Sequence, residues 1–154
     1  MGAGLGVGPR DGRPGFGLGG DNWGVRELPT GTVTLLFSDI EGSTVLLSRL
    51  GGLYGEALSA QRVVLRAAIG EGRGVELGTE GDSFFVVFSS AADAVGCCVA
   101  AQRALGGYDW PGGAAVPVRM GLHTGEPSRH EDGYIGLDVH RAARIAAAAH
   151  GARW

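Results

Sequence analysis

The sequence predicts a single α+β domain. Short runs of β-branched and apolar residues, typical of buried strands, alternate with longer segments whose apolar residues recur at helical spacing. The length of 154 residues, with 44% hydrophobic residues, suits one domain with a sizeable core. The order strand, helices, hairpin, helix, strand pair, helix fits a split β-α-β arrangement, in which the third strand lies between the first two and runs antiparallel to the first.

The first half of the predicted domain begins with a strand at 32–37 (TVTLLF), whose apolar run suits burial on both faces. A helix opens at 45–50 after the start signal EGST, is interrupted by two glycines, and resumes at 54–69 with apolar residues at helical spacing. Two short strands, 75–77 and 83–88, flank a turn at 78–82. This half supplies three strands and the first helical layer.

The second half begins with an alanine-rich helix at 91–105, for which Ser89 or Ser90 is a natural N-cap. A loop rich in glycine and proline leads to a strand at 116–124. A polar turn then connects to a short strand at 134–137, and the last helix spans 138–150. The polar turn itself is expected to hold no strand.

The N-terminal segment has a different composition from the rest. Ten of the 30 glycines fall in the first 24 residues, where no hydrophobic periodicity is present. Such a segment buries too little surface to offset the entropy lost on ordering. The sequence therefore predicts a flexible tail at 1–27 and a folded domain at 28–154.

Composition excludes several classes of protein. The chain has 13 Arg and no Lys against 16 acidic residues, a formal charge of −3, which excludes a broad basic surface for nucleic acid. No apolar run approaches the roughly 18 to 20 residues needed to cross a bilayer, and no signal peptide is recognisable, so a cytoplasmic location is expected. The adjacent Cys97 and Cys98 suit buried positions on a helix better than a zinc site or a disulfide framework.

Two aspartates are brought together by the predicted topology. Asp39 ends the first strand and Asp82 precedes the third, 43 positions later, so both carboxylates converge at one edge of the sheet. Paired carboxylates at strand ends are hard oxygen ligands for Mg²⁺ or Mn²⁺, and two such ions neutralise a triphosphate. The alternative is that Asp39 caps a helix and Asp82 occupies a hairpin turn. The pattern alone leaves both interpretations open.

Four segments together resemble the class III adenylate/guanylate cyclase catalytic domain. They are residues 37–44 (FSDIEGST), 78–85 (GTEGDSFF), 119–125 (RMGLHTG) and 136–144 (GLDVHRAAR). The resemblance covers about 28–151 and is carried by the order and spacing of all four segments.

The resemblance implies a ferredoxin-like fold with an antiparallel-rich sheet and helices packed on one face. It implies a head-to-tail homodimer with two composite sites, in which one subunit supplies the metal ligands and the other supplies base-reading and transition-state groups. The implied enzyme is a lyase of intracellular signalling, with two Mg²⁺ or Mn²⁺ ions per site. It converts ATP or GTP to a 3′,5′-cyclic nucleotide and pyrophosphate through attack of the ribose 3′ oxygen on the α-phosphate.

The resemblance also implies roles for individual residues. The metal ligands are Asp39, Asp82 and the carbonyl of Ile40. The nucleotide-binding residues are Ile40, Glu41, Gly42, Ser43, Thr44, Gly81 and Arg144. Arg144 matches the arginine that stabilises charge developing on the α-phosphate, and His140 occupies the position of a transition-state asparagine. A histidine still donates a hydrogen bond, although an ordinary surface histidine is the alternative.

The chain departs from the family at the positions that read the purine. Gly78 stands where active members usually carry a lysine, and Gly133 stands where they carry an aspartate or its equivalent. Glycine offers no side-chain donor or acceptor, so ATP and GTP are expected to be used within about tenfold of each other. Discrimination would require backbone groups, or neighbouring groups such as Thr79 or Tyr134, to read the base instead.

Other arginines and histidines receive less specific predictions. Arg141 and Arg144 lie three apart on one helix surface and either face a triphosphate or form a solvated face. Arg119 is expected to be structural, and His123 is expected to be a partnered core or interface histidine.

The chain stops before the further strands of the family, so the C-terminal part of the domain is expected to be missing. The altered positions leave a second hypothesis, a weak or inactive cyclase homologue that dimerises, binds nucleotide and regulates a partner.

Overall fold

The computed structural model describes residues 27–152, so the tail predicted at 1–27 lies outside the described residues except for Glu27. The elements are β1 (Val33–Ile40), α1 (Ser43–Leu50), a 3₁₀ turn (Gly51–Leu53), α2 (Tyr54–Glu71), β2 (Val75–Glu80), β3 (Ser83–Phe88), α3 (Ala91–Gly106), a second 3₁₀ turn (Pro111–Gly113), β4 (Val118–Gly125), β5 (Ser128–His130), β6 (Gly133–Ile135) and α4 (Leu137–Ala148). Among these, no helix is long and apolar enough to cross a bilayer.

Four strands form an antiparallel sheet in the order β2-β3-β1-β4. Strand β3 therefore lies between β1 and β2 and runs antiparallel to β1, which confirms the predicted split β-α-β arrangement. Leu36 at the centre of β1 pairs with Val86 of β3 and with Leu122 of β4. Residues 33–36 are all buried, as expected for a central strand covered on both faces.

Helices α1 to α3 pack on one face of the sheet, which confirms the predicted fold class. This face holds the larger core, which includes Leu36, Leu65, Phe84 and Phe88. Side chains alternate between the faces of a strand, so the neighbours of Leu36 along β1 point the other way. They form a second cluster that includes Leu35, Val87, Tyr134 and Ala142.

Helix α4 lies over the second cluster, together with the small hairpin of β5 and β6. Gly121 of β4 makes this approach possible, because a Cβ there would lie 2.6 Å from the Cα of Ala146. A side chain at this position would push α4 away from the sheet. The backbone of β4 and the backbone of α4 are therefore in direct contact.

Two predicted turns differ from those in the structure. Strand β2 continues to Glu80 instead of ending at residue 77, and its ladder is irregular between Glu76 and Gly78. The turn is therefore limited to Gly81 and Asp82, where the φ angle of +57° at Gly81 suits glycine. The polar turn predicted at 125–133 contains β5, which pairs with β6.

Candidate active site

The ends of β1 and β3 meet at one edge of the sheet, as the sequence predicted. The backbone N–H of Ile40 donates to Oδ2 of Asp82 across 2.6 Å. The ladder ends with Ser38 opposite Phe84, so its continuation by two residues places Asp82 opposite Ile40. The Asp82 carboxylate thus lies directly beside the residue that follows Asp39.

The carboxylate of Asp39 is held by Arg119. The Arg119 guanidinium donates from Nε to Oδ1 at 2.7 Å and from Nη2 to Oδ2 at 2.6 Å. Its Nη1 donates to the carbonyl of Ala147 at 3.0 Å. The hydrogen bonds to Asp39 raise the pKa of Arg119, so the guanidinium keeps its charge. Arg119 thereby links the aspartate to the end of α4.

This role of Arg119 is more specific than the structural role that the sequence analysis gave it. The signal that would have found it is register, because antiparallel pairing of β1 with β4 places Arg119 opposite Asp39. The side chains of opposite residues on one face lie within contact distance.

The turn that carries Asp82 is held from helix α2. Gln61 is fully buried, and its Nε2 donates to the Asp82 carbonyl at 2.9 Å. The next residue, Arg62, donates from Nε and Nη2 to the Gly81 carbonyl at 3.2 and 2.7 Å. Burial and the charge of Asp82 raise the pKa of Tyr54, so a phenol lies near the same carboxylate. The sequence analysis singled out neither Gln61 nor Arg62.

The first turn of α1 presents backbone N–H groups without a side-chain cap. Its N-cap, Gly42, has φ 67° and ψ 35°, and the first turn contains no acidic residue. Such a helix start carries partial positive charge and suits an anion. Ser43 and Thr44, predicted to lie along a triphosphate, are the first residues of this turn.

Glu41 faces the C-terminal segment. Its backbone N–H donates to the Pro117 carbonyl at 2.8 Å, so this amide is already engaged. Its carboxylate accepts from the Gly151 N–H at 2.8 Å and lies 3.1 Å from Nδ1 of His150. Of the segment predicted to wrap phosphates, Glu41 is the residue whose backbone and side chain are both occupied.

The predicted transition-state residues do not contact the aspartates in this chain. His140 and Arg144 are exposed on α4, and within residues 27–152 neither side chain has a hydrogen-bond or ion-pair partner. The structure therefore brings together Asp39, Ile40 and Asp82 but leaves His140 and Arg144 facing outward.

The start of α4 is attached to the end of β4 through Asp138. Nε2 of His123 lies 2.7 Å from Oδ1 of Asp138, and the N–H of Glu126 donates to Oδ2 at 3.2 Å. These contacts, led by His123, lower the pKa of Asp138. His123 is thus a partnered histidine, as predicted. Arg141 lies 3.6 Å from Asp138, so its ionic partner is on its own helix.

The two glycines at the purine-reading positions border open space. A Cβ at Gly78 or at Gly133 would meet nothing within 4 Å. The substitutes that the sequence suggested are already engaged, because the Thr79 hydroxyl donates to Glu76 and the Tyr134 hydroxyl donates to the Pro29 carbonyl at 2.6 Å. The hydroxyl protons are thus engaged within the domain, while each oxygen keeps acceptor lone pairs, so base reading by Thr79 or Tyr134 stays a prediction.

The residues at the sheet edge fit a magnesium-type site. Residues 27–152 contain no group of three or more His, Cys, Asp or Glu side chains arranged to hold a metal. Mg²⁺ does not need one, because it binds through one or two carboxylates together with water and substrate phosphates. Asp39, Asp82 and the Ile40 carbonyl supply that kind of donor set. Burial raises the pKa of Cys97 to about 11 and that of Cys98 to about 12, which disfavours thiolate ligands.

The fold and these motifs define a nucleotide cyclase domain. The family model for the adenylate and guanylate cyclase catalytic domain matches residues 25–147. The chain therefore belongs to this family.

Individual relatives agree with this assignment. An uncharacterised protein of Mycobacterium tuberculosis is 37% identical over 125 residues, which is 80% of this chain and 41% of that protein. An adenylate cyclase of Podospora anserina is 32% identical over 148 residues, covering 80% of this chain and 7% of that protein. The chain thus spans about two fifths of the length of the mycobacterial relative and less than a tenth of the length of the fungal one.

Solved structures show the same fold. A Trypanosoma brucei adenylate cyclase, solved in its monomeric state, superposes with a TM-score of 0.75 at 27% identity. The match covers 85% of this chain and 75% of that one.

Proposed function

We propose that this chain converts ATP or GTP to a 3′,5′-cyclic nucleotide and pyrophosphate. The observation that carries the proposal is the bond from the Ile40 N–H to Asp82 at 2.6 Å, which sets both aspartates and the Ile40 carbonyl at one edge of the sheet. These residues occupy the family's metal-binding positions in the segments 37–44 and 78–85. We expect the reaction in the cytoplasm, where both nucleotides are abundant.

Asp39, Asp82 and the Ile40 carbonyl would hold Mg²⁺ or Mn²⁺, two ions per site. When bound, the ions neutralise the triphosphate and favour ionisation of the ribose 3′ hydroxyl. Asp82 is presented by its bond to Ile40, whereas Asp39 must first exchange its contact with Arg119. The Arg119 guanidinium then becomes available as a cation beside the phosphates.

The uncapped start of α1 would hold part of the triphosphate. The N–H groups of Ser43 and Thr44 point along the helix axis towards its N-terminal end, where the helix dipole favours negative charge. Gly42 permits the left-handed backbone that begins the helix. Positioning the triphosphate by backbone groups leaves its α-phosphate fixed relative to the two aspartates.

The transition-state groups would come from a second copy of the chain. His140 and Arg144 are exposed and without partners among the described residues, so they are available to a neighbouring subunit. Arg144 would stabilise the charge that develops on the α-phosphate, and His140 would donate a hydrogen bond to ribose or phosphate. A head-to-tail homodimer satisfies this requirement at both of its sites.

A second candidate function is a regulatory module that dimerises and binds nucleotide without turnover. Two observations favour it: the Asp39 carboxylate is occupied by Arg119, and the purine-reading positions have no side chain. In this case the Asp39 to Arg119 pair stabilises the sheet edge and does not exchange with a metal.

The experiment that separates the two is a Mn²⁺-dependent turnover assay with ATP and GTP in parallel and the cyclic product identified by mass. Asp82→Ala is the blank, and both proteins are first shown to be folded by circular dichroism. We expect product from the parent and none from the variant. Folded, dimeric parent protein that makes no product supports the regulatory module. Equal product from Asp82→Ala overturns the metal assignment.

A further inference from the structure

Gln61 is a polar residue on an otherwise apolar helix face. It lies on the buried face of α2, whose other buried residues are Ala57, Leu65, Ala68 and Ile69. Its side chain is fully buried, and its Oε1 has no hydrogen-bond partner. A buried acceptor without a partner loses its hydration without a compensating bond, whereas an apolar residue of similar shape carries no such penalty. Stability alone therefore does not explain a glutamine here.

Within residues 27–152, the one hydrogen bond of the Gln61 side chain is to the main chain of Asp82. Its Nε2 donates to the Asp82 carbonyl at 2.9 Å, while the Asp82 carboxylate accepts from Ile40 at 2.6 Å. Asp82 is thus fixed at two points, by α2 through its backbone and by β1 through Oδ2. Among the described residues, its Oδ1 has no hydrogen-bond partner.

The neighbouring residue supports the same turn. Arg62 donates twice to the Gly81 carbonyl, at 3.2 and 2.7 Å, so α2 holds two successive carbonyls of the turn. Arg62 is half-buried, but its bonds to Gly81 are exposed, and water replaces such bonds at small cost. Gln61 is buried, so its bond has no solvent substitute.

We propose that Gln61 is a positioning residue that sets the Asp82 carboxylate for binding a divalent cation. The proposal rests on the proposed function, because it assumes that Asp82 is a metal ligand. An amide that presents its N–H donor to the Asp82 turn also buries its Oε1 without a partner, which lowers stability. Proteins commonly have lower stability at functional sites in return for activity.

The test is Gln61→Met, which keeps the length of the side chain and removes both its donor and its unpartnered acceptor. Each protein is titrated with Mn²⁺ alone, and the free ion is measured by electron paramagnetic resonance. Thermal unfolding is recorded without metal. We expect Mn²⁺ affinity to fall by about tenfold, or 1.4 kcal/mol. The melting temperature should change little, because removal of the unpartnered Oε1 offsets the lost bond to the Asp82 carbonyl. A merely structural glutamine gives the opposite pattern, a lower melting temperature and unchanged affinity.

Two further variants make the result specific. Gln102→Met is the matched control, because Gln102 on α3 also donates from Nε2 to a strand carbonyl, that of Val118 at 2.8 Å, and does not touch the Asp82 turn. We expect its Mn²⁺ affinity to match the parent. Gln61→His places an N–H the same number of bonds from Cβ and should bind Mn²⁺ better than Gln61→Met. A folded Gln61→His that binds no better contradicts the proposal.

The outcome also separates this proposal from the proposed function. Asp82→Asn serves as the reference for lost binding at the aspartate pair. If Asp82→Asn binds Mn²⁺ as tightly as the parent, both proposals are overturned. If Asp82→Asn loses Mn²⁺ binding but Gln61→Met keeps the affinity of the parent, only the role of Gln61 is overturned.

Discussion

The edge of the sheet that carries the aspartates and the positions expected to face the purine are built in different ways. Around Asp39 and Asp82, both carboxylates are held by named partners, and the turn backbone is fixed by a buried amide. At Gly78 and Gly133 there is no side chain, and space is open beside each Cα. Under the proposed function, phosphate chemistry and base selection are separable, because only the first has a preorganised set of groups.

The largest effect is expected at the aspartate edge, from Asp39→Asn. An amide removes the charge of a metal ligand while it keeps an oxygen that accepts from Arg119, so the fold should survive. We expect cyclic product to fall by at least about 100-fold, which corresponds to about 2.7 kcal/mol. Turnover with Mn²⁺ and ATP or GTP measures the effect.

The matched control for this variant is Asp93→Asn. Asp93 also accepts from an arginine, Arg73, but their ion pair is exposed and joins α3 to the turn between α2 and β2. Its turnover should equal that of the parent. An Asp39→Asn protein that is folded and fully active would place the reaction elsewhere.

The next largest effect is expected on stability, from a comparison of a glycine packed against backbone with a glycine beside open space. Gly121→Ala drives a methyl group into the backbone of Ala146 and should destabilise the fold by about 1–3 kcal/mol. Gly78→Ala adds the same group in open space, also within a strand, and should change the free energy of unfolding by less than about 0.5 kcal/mol. Urea unfolding of both variants measures the difference. Equal losses contradict the close contact between β4 and α4.

The sequence carried enough information for the strand order and for the meeting of Asp39 with Asp82. Both follow from hydrophobic patterning and from the topology of the split β-α-β unit. The contact of Arg119 with Asp39 depends on register, which hydrophobic patterning leaves open by steps of two residues. Gln61 was missed because helical periodicity marks a position as buried and says nothing about a hydrogen bond made across the core.

Strand β5 of the small hairpin was missed for a different reason. Strand β5 has three exposed residues, including Arg129 and His130, and so has no apolar alternation for a sequence to show. Its pairing with β6 is backbone bonding between two three-residue segments, supported from the tertiary structure by the hydrogen bond from Arg129 to the Leu28 carbonyl. Such elements are determined by their neighbours in the fold.

The open purine positions predict a gain of selectivity from Gly78→Lys. The parent should use ATP and GTP within about tenfold of each other, since neither position offers a side chain. A lysine extends from open space and offers a donor that suits N1 of adenine, an acceptor, better than N1 of guanine, which carries a proton. We expect the ratio of kcat/KM values to move about tenfold, or 1.4 kcal/mol, towards ATP.

Gly78→Met is the control for this change, because it adds a chain of similar bulk without a donor. Its ratio should stay that of the parent. A parent that already discriminates strongly shows that other groups read the base.

The smallest effect concerns Glu76, which lies beside the open region on β2. Arg66 donates to both of its oxygens at 3.0 Å, and this bond is the main cause that lowers the pKa of Glu76. A lowered pKa in the folded state means that the pair stabilises the protein above the unfolded pKa of about 4.3 and loses this contribution as pH falls through the folded value. Arg66 is half exposed, so the contribution at neutral pH should stay below about 1 kcal/mol and shrink with salt.

Urea unfolding of the parent and of Glu76→Gln at pH 7 and at pH values below the folded pKa measures this contribution. The two proteins should differ at pH 7 and converge in acid. The Thr79 hydroxyl, which donates to Glu76, also ties this pair to the open region. We expect Glu76→Gln to leave the ratio of kcat/KM values for ATP and GTP unchanged, because Arg66 and Glu76 are already bonded to each other. A shift in that ratio would show that the pair serves base recognition.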